Sequence, residues 1–258
     1  MPGPPSEQVT VVIAAKNEAP TIGEIVSACR RHAIRVLVVD GHSADGTREA
    51  ASSAGADVIL DRGRGKGDAL RVAVGAVRTD ITVFIDADGS HDPDDVPRLV
   101  APILAGKADH VSGSRLIGGS SELHGGFDEF LRLASSSFIT ACINWRFGVV
   151  LSESQNGLRA IRTDVLRALD LRENLTTIEQ EMVIKTLRLG FTMGEVPTHE
   201  HKRRHGVSHI VLWRVAPRYV FSFVWYLFFW RPPVRSAAET AAGSGKEPRL
   251  PAAPEQES

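Results

Sequence analysis

Short apolar segments alternate with amphipathic segments along the first part of the chain. The amphipathic segments carry apolar residues at helical spacing, as in the series Ile22, Ile25, Val26 and Cys29. Continuous apolar strands joined by helices are typical of a mostly parallel sheet that is covered on both faces. The sequence therefore predicts an α/β fold. The predicted strands are residues 9–14, 35–40, 56–61 and 81–88.

The alternation becomes less regular after residue 115, and we expect one large domain over residues 9–209. A hydrophobic content of 43% is enough to form its core. Residues 210–230 are strongly apolar and aromatic and form a separate helical segment. The ends, residues 1–8 and 231–258, are predicted to be disordered because Pro, Gly, Ser, Ala and Glu dominate them.

The charge balance and the two cysteines narrow the function classes. Thirty Lys and Arg side chains face 31 acidic ones, which gives no indication of nucleic-acid binding. Cys29 and Cys142 lie in helical patterns, as buried thiols do in a reducing compartment. The N-terminus lacks the basic and apolar regions of a signal peptide, so the predicted location is cytoplasmic.

Polar side chains follow three of the predicted strands. They are Lys16, Asn17, Glu18, Asp40, Asp86 and Asp88. Because parallel strands end at the same edge of a sheet, we expect these residues to gather there. The carboxylates of DAD (86–88) lie two positions apart on an extended segment and point to the same side. Two carboxylates at a buried strand end are costly without a cation, so a divalent metal site is expected.

Four motifs also carry a resemblance to a known family. VVIAAKNEAPTIGEIV, VLVVDGHSADGT, GRGKGDAL and VFIDADGSHDP occur in the order and spacing of family 2 glycosyltransferases of the GT-A type. The later segments SQNGLRAIR and EQEMVIKTLRLGFTMGEVPTHEHKRRHGVS resemble the dolichyl- and polyprenyl-phosphate mannosyl- or glucosyltransferases. The resemblance covers residues 8–210.

The resemblance implies a site for a sugar nucleotide. Asp86 and Asp88 would hold Mg²⁺ or Mn²⁺ on the diphosphate, with Asp88 in the catalytic centre. The implied contacts of the nucleotide are Ala14, Lys16, Asn17, Glu18, Asp40, Lys66 and Ala87. The chain departs from the family at two positions, since Gly41 follows Asp40 where many relatives have a second acid, and Ser90 replaces a frequent Gln.

The acceptor side is predicted from a basic cluster, HEHKRRHG (199–206). By resemblance Arg204 binds an acceptor phosphate, with Arg203 second and Arg115 as a further candidate. A phosphate monoester is mostly dianionic at neutral pH, so such an acceptor needs no strong base. Of the two acids in TTIEQEMV, resemblance favours Glu181 over Glu179 for the active centre. Gln155 and Asn156 are candidates for contacts to the sugar.

The segment 209–230 contains Arg214, Arg218 and Ser222 at intervals of four residues on an otherwise apolar helix. This pattern is typical of a helix lying in a membrane interface, with tryptophans as anchors and Arg231 and Arg235 attracting anionic lipid. A helix packed on the domain and a single transmembrane helix are the alternatives.

The predicted function is inverting, metal-dependent transfer of a hexose to a polyprenyl monophosphate at the cytoplasmic face of a membrane. Mannose from GDP-mannose is the favoured donor, and UDP-glucose or UDP-GlcNAc are alternatives. A soluble acceptor, a nucleotidyltransferase and a non-catalytic sensor are the rival functions. The expected partners are the donor, the lipid acceptor and the membrane surface, and self-association is left open.

Overall fold

The computed structural model describes residues 8–121, 127–202 and 212–232, and the side chains of residues 127–132 and 212–216 lie outside this description. Its strands are β1 (Val9–Ala15), β2 (Arg35–Asp40), β3 (Asp57–Leu60), β4 (Ile81–Asp86), β5 (His110–Ser114), β6 (Arg159–Arg162) and β7 (Met193–Pro197). They form a seven-stranded sheet in the order β3-β2-β1-β4-β6-β5-β7. Only β6 runs antiparallel to its neighbours among the strands described. The predicted mostly parallel α/β sheet is confirmed.

Nine α-helices are described. They are α1 (Ala19–Cys29), α2 (Thr47–Ser53), α3 (Lys66–Ala76), α4 (Val96–Leu104), α5 (Arg115–Gly118), α6 (Phe127–Phe147), α7 (Thr163–Ala168), α8 (Ile178–Arg188) and α9 (Leu212–Val224). A 3₁₀ turn, Pro93–Asp95, precedes α4, and a π-helical turn, Trp225–Phe229, follows α9. The Asp92 side chain accepts from the N–H of Asp94 at 2.9 Å and so begins the 3₁₀ turn.

The two faces of the sheet have separate apolar cores. Val11, Ile13 and Val38 pack with α1 and α4 on one face, whereas Val12 and Val39 pack with α3, α7 and α8 on the other. This alternation follows from the two-residue period of a strand. The arrangement leaves the carboxyl ends of β1, β2 and β4 together at one edge.

The segment after residue 210 packs on the domain along one face. Phe223, Tyr226 and Leu227 are buried against side chains of α6 and α8, including Ile143 and Ile184. The opposite face is exposed, and its apolar members are Val220, Phe221, Val224, Trp225, Phe228 and Phe229. The structure therefore combines the packed helix and the amphipathic helix that the sequence offered as alternatives.

The polar stripe of this segment is buried at Ser222, whereas at Arg218 it is half-exposed and paired with the domain. Ser222 is 1% exposed, and the Arg218 guanidinium donates to Glu173 at 3.1 Å. The side chain of Arg214 and all of Arg235 lie outside the described residues. Across the described parts of the chain, no helix is both long and apolar enough to cross a bilayer.

We predict that Leu99→Ala lowers the free energy of unfolding by about 2–5 kcal/mol, because it opens a cavity in a close-packed core. Leu99 is fully buried between α4 and the sheet. Urea unfolding followed by circular dichroism gives the value. Leu104→Ala is the matched control on the same helix, since Leu104 is 41% exposed, and it is expected to change stability by no more than about 0.5 kcal/mol. Equal losses of stability in the two variants would contradict the placement of Leu99 in the core and of Leu104 at the surface.

Candidate active site

The strand ends carry the predicted polar residues to one edge of the sheet. In the strand register Ala14 lies opposite Asp86, and Ala15 lies opposite Asp40. The loops after β1 and β2 are joined by hydrogen bonds. The Asn17 N–H donates to Ser43 Oγ at 2.8 Å, and the Ala44 N–H donates to Asn17 Oδ1 at 3.0 Å. The side chain of Asn17 thus orders this edge.

Asp40 is fully buried at the end of β2. Its Oδ1 accepts from the Ser43 N–H at 3.0 Å, while Oδ2 has no hydrogen-bond partner among the described atoms. The Glu18 N–H donates to Thr47 Oγ1 at 2.9 Å, which fixes the start of α1 beside this loop. A buried carboxylate oxygen without a donor is costly, and a ligand with an N–H or O–H group would satisfy it.

A cavity of about 180 Å³ opens beside these loops. Its lining consists of Ala14, Ala15, Lys16, Gly41, Asp61, Gly63, Gly65, Lys66 and Ala69. Asp61 was not predicted, although it ends a predicted strand in the same way as Asp40 does. Its Oδ1 accepts from the Gly63 N–H at 2.7 Å. The cavity therefore has a carboxylate at one position and two lysines at others.

Lys66 forms the centre of the site. Its Nζ lies 2.6 Å from Asp86 Oδ1 and 2.8 Å from Glu179 Oε1. Burial alone would lower the pKa of Lys66, but the charges of Asp86 and Glu179 outweigh it and raise that pKa. The ammonium group is therefore charged at neutral pH and joins β4, α3 and α8.

Glycines allow α3 to begin where Lys66 reaches these carboxylates. A Cβ on Gly67 would lie 2.5 Å from the carbonyl oxygen of Glu173, and one on Gly65 would lie 2.8 Å from that of Asn174. Gly65 also has a φ of 113°, which favours glycine. The close approach that these glycines permit in the structure is to the chain's own loop before α8.

Asp86 is enclosed on its other side. A Cβ on Gly157 would lie 2.2 Å from Asp86 Oδ2, so a side chain there would displace the Asp86 carboxylate. His91 Nε2 lies 3.8 Å from the same oxygen. Burial lowers the pKa of His91 despite the nearby carboxylates, so this imidazole is neutral at pH 7.

Asp88 lies at the turn after β4 and is 6% exposed. Its Oδ1 accepts from the Ser90 N–H at 3.0 Å and from Ser90 Oγ at 2.6 Å. The Thr21 hydroxyl donates to the Ala87 carbonyl oxygen at 2.8 Å and fixes the backbone between the two acids. Ser90, which replaces the family's frequent Gln, therefore orients Asp88.

Glu179 and Glu181 occupy different faces of α8. Glu179 reaches Lys66, whereas Glu181 is fully buried and forms an ion pair of 2.7 Å with Lys185. Glu181 also accepts from the backbone N–H of Arg172, at 2.9 Å, and of Glu173, at 2.8 Å. The structure thus places Glu179, and not the favoured Glu181, in the group that Lys66 forms with Asp86. The spacing of two residues on a helix explains the separation.

Arg159 is a site residue that the sequence analysis missed. Its side chain is buried in β6, donating from Nε to the Asn156 carbonyl oxygen at 3.0 Å and from Nη1 to that of Glu179 at 3.3 Å. It fixes the loop that contains Gly157 and the first turn of α8. The sequence offered no clear signal, because β6 reads RAIR and its second arginine, Arg162, is exposed. Gln155 is placed near α8, with its Nε2 3.5 Å from Gln180 Oε1.

Arg115 is surrounded by acids. Its guanidinium lies 2.8 Å from Glu153 and 2.6 Å from Glu200. Two carboxylates on one guanidinium leave the group with net negative charge, which disfavours a phosphate there while both are ionised. Arg203 and Arg204, the other two acceptor candidates, lie outside the described residues.

The family follows from the sequence profile of known glycosyltransferases. The profile described as Glycosyl transferase family 2 matches residues 10–169, which is more than half of the chain. The chain belongs to glycosyl transferase family 2. The matched range contains β1 to β6 and both acids of the DAD motif, so the expected family and its α/β fold of the GT-A type are confirmed.

Some family 2 relatives are transferases named for dolichyl or undecaprenyl phosphate, whereas the name of the relative AglJ gives no substrate. The dolichyl-phosphate hexose transferase of Haloferax volcanii is 29% identical over 76% of this chain and 84% of its own length. Glycosyltransferase AglJ of the same organism is 30% identical over 79% of this chain, and the match spans 66% of AglJ. An undecaprenyl-phosphate 4-deoxy-4-formamido-L-arabinose transferase of Pseudomonas fluorescens is 30% identical, over 79% of this chain and 60% of that protein.

A solved structure shares the fold. Glucosyl-3-phosphoglycerate synthase from Mycobacterium tuberculosis, in complex with Mn²⁺, UDP-glucose and phosphoglyceric acid, superposes with a TM-score of 0.71 at 24% identity. The superposition covers 86% of this chain and 80% of the synthase. Similarity at this level of identity supports the fold alone.

We predict that Glu181→Gln lowers the free energy of unfolding by about 3–5 kcal/mol, because it leaves Lys185 as an unpaired buried charge. Glu179→Gln is the control two residues away, and it leaves Lys66 paired with Asp86. Its expected cost is about 1 kcal/mol, as for a partly exposed pair. Urea unfolding of both variants measures the difference. A smaller loss for Glu181→Gln than for Glu179→Gln would contradict the structural role of Glu181.

Proposed function

We propose that this family 2 protein transfers a hexose from a sugar nucleotide to a polyprenyl monophosphate with inversion at the sugar. The observation that carries the proposal is the cluster of Asp86, Lys66 and Glu179 beside Asp88, at the rim of the cavity. In this cluster the Lys66 ammonium group would attract the anionic diphosphate, and the carboxylates beside it would hold the cation that neutralises the leaving group. The dolichyl-phosphate and undecaprenyl-phosphate transferases to which the chain is similar support the acceptor class.

The cavity suits the nucleoside of the donor. Asp61 lines the cavity, and Asp40 is buried directly before Gly41 of the lining. These carboxylates would accept hydrogen bonds from base or ribose donors. GDP-mannose remains our favoured donor. UDP-glucose and UDP-GlcNAc are the alternatives, and the synthase that shares the fold was crystallised with UDP-glucose.

The residues present fit a divalent cation. Carboxylate oxygens of Asp86 and Asp88 are the hard ligands that Mg²⁺ and Mn²⁺ prefer. Within the described residues no three His, Cys, Asp or Glu side chains converge on one point. A cation here would therefore be held by Asp86 and Asp88 together with substrate phosphates. When bound, the cation would neutralise charge on the leaving diphosphate.

Lys66 has a second role in this proposal. In the structure its ammonium group neutralises Asp86 and Glu179, and the same group is within reach of a diphosphate that enters the adjacent cavity. The acceptor phosphate oxygen attacks C1 of the sugar as the C1–O bond to the diphosphate breaks, and the nucleoside diphosphate leaves. Since the acceptor is a dianion, no residue has to remove a proton.

The acceptor phosphate is assigned to Arg204, with Arg203 second. Arg115 forms ion pairs with Glu153 and Glu200. Because Glu200 lies in the loop after β7, we propose that Arg115 positions this loop, which leads to Arg203 and Arg204. The exposed apolar face of α9 and the π-helical turn supports attachment at a membrane surface, on the cytoplasmic side, where a lipid acceptor would meet the enzyme.

The decisive experiment incubates the purified protein and Mg²⁺ or Mn²⁺ with a short polyprenyl phosphate in detergent micelles. Radiolabelled GDP-mannose, UDP-glucose and UDP-GlcNAc are tested in parallel. We expect organic-extractable label from one donor, no label with EDTA, and a loss of about 10²–10³-fold or more in kcat/KM for Asp88→Asn, because charge stabilisation on the diphosphate is lost. Leu104→Ala is the control for an unaffected site.

Two outcomes would contradict the proposal. Label that stays in water with a phosphorylated soluble acceptor would preserve the transferase and exclude the lipid. No turnover with any donor, despite donor binding by calorimetry, would favour a sensor. Deleting residues 210–258 is an unsuitable test of membrane dependence, because it would uncover Ile143 and Ile184.

A further inference from the structure

The carboxyl ends of three helical segments lie close together, and each of them carries an arginine. Arg146 lies in the last turn of α6, and Arg188 is the last residue of α8. Arg231 follows the π-helical turn and Trp230. Shared apolar contacts hold the three ends together, and Arg188 Nη2 donates to the Leu227 carbonyl oxygen at 2.5 Å. We call these arginines the arginine corner.

Carboxylates do not neutralise the arginine corner. Among the described residues, none lies within ion-pair distance of any of its three guanidinium groups. Burial lowers the pKa of Arg188, and the charges of Arg146 and Arg231 lower it further. The carboxyl ends of α6 and α8 contribute only about −0.5 charge each. The corner therefore keeps a positive charge of roughly +2.

Exposed aromatic side chains adjoin the arginine corner. Trp145 is 77% exposed beside Arg146, and Phe229 is 62% exposed just before Arg231. Phe221 and Trp225 continue this surface, because their rings and that of Phe229 stack in series at 6.4 and 6.1 Å. Aromatic anchors beside unpaired arginines are the combination that an anionic membrane interface binds.

We propose that Arg146, Arg188 and Arg231 bind the phosphate groups of anionic phospholipids while Phe221, Trp225, Phe228 and Phe229 enter the interface beside them. The proposal deepens the membrane attachment in the proposed function and rests on it. A second copy of the chain is a poorer occupant of this face. A two-fold interface through the aromatic residues would bring two arginine corners together without counter-charges.

The test uses the full chain and sedimentation with two vesicle types, phosphatidylcholine alone and phosphatidylcholine with about 30% phosphatidylglycerol. We expect wild type to bind the anionic vesicles at least about tenfold more tightly than the neutral ones at low salt. Arg146→Gln/Arg188→Gln/Arg231→Gln should lose most of this preference. The matched control is Arg30→Gln/Arg31→Gln/Lys107→Gln, which removes three exposed charges from the opposite side of the sheet and should keep it.

Circular dichroism and transfer to the short acceptor in micelles show whether the triple variant is folded, and both should be unchanged. Equal binding of wild type and the triple variant to anionic vesicles would overturn the proposal. An equal loss of the preference for anionic vesicles in the control variant would also overturn the proposal, because the attraction would then depend only on the total charge of the protein. Formation of a dimer that buries Trp225 and prevents vesicle binding would also overturn it. Failure of the proposed function is distinguishable, since vesicle binding would persist while micelles gave no labelled lipid.

Discussion

The site depends on one lysine held between two carboxylates. Asp86 and Glu179 come from β4 and α8, which are far apart in sequence, and without a cation their charges would repel at short range. Lys66 contacts both, and it can do so because Gly65 and Gly67 let α3 begin against the loop before α8. A divalent cation and a diphosphate entering together would replace one set of paired charges with another. The lysine thus stabilises this arrangement of carboxylates, and in the proposed function the same ammonium group also contacts the donor.

Helix α8 connects this site to the rest of the molecule through its two faces. Glu179 on one face contacts Lys66, and Glu181 on the other is paired with Lys185. The Lys185 ammonium lies 5.2 Å from the Tyr226 ring centre and 4.9 Å from that of Trp230. Such contacts between a cation and aromatic rings are stronger when desolvated. The buried charges therefore fix the aromatic C-terminal segment to the same helix that carries Glu179.

The local pattern of the sequence was sufficient for most of the sheet and insufficient for β5. Continuous apolar runs predicted β1 to β4, and strand polarity predicted that Asp40 and Asp86 end at one edge. β5 was not predicted, because HVSGS has few β-branched residues and takes its place through pairing with β6 and β7.

Which of Glu179 and Glu181 lies near Lys66 depends on the orientation of α8, which the sequence pattern does not contain. The direction of the polar stripe that contains Ser222 likewise needed the packing of the C-terminal segment. In both cases tertiary contacts decide which of two opposite helix faces is buried. A one-dimensional pattern contains the spacing of side chains on a helix, but it does not contain the position of the neighbouring elements.

In the proposed function, the length of α8 also limits how far the transfer site lies from a membrane bound at the arginine corner. Glu179 is nine residues before Arg188, which at 1.5 Å per residue is about 14 Å along the helix axis. The carboxylates lie farthest from the membrane when the axis of α8 is perpendicular to it. Any tilt of the helix therefore brings them closer to the lipid. The headgroup layer itself is about 5–8 Å deep on each side of a bilayer. A polyprenyl phosphate has its charged end in that layer, so a small displacement of the acceptor, and not its extraction from the membrane, would bring the phosphate to the donor.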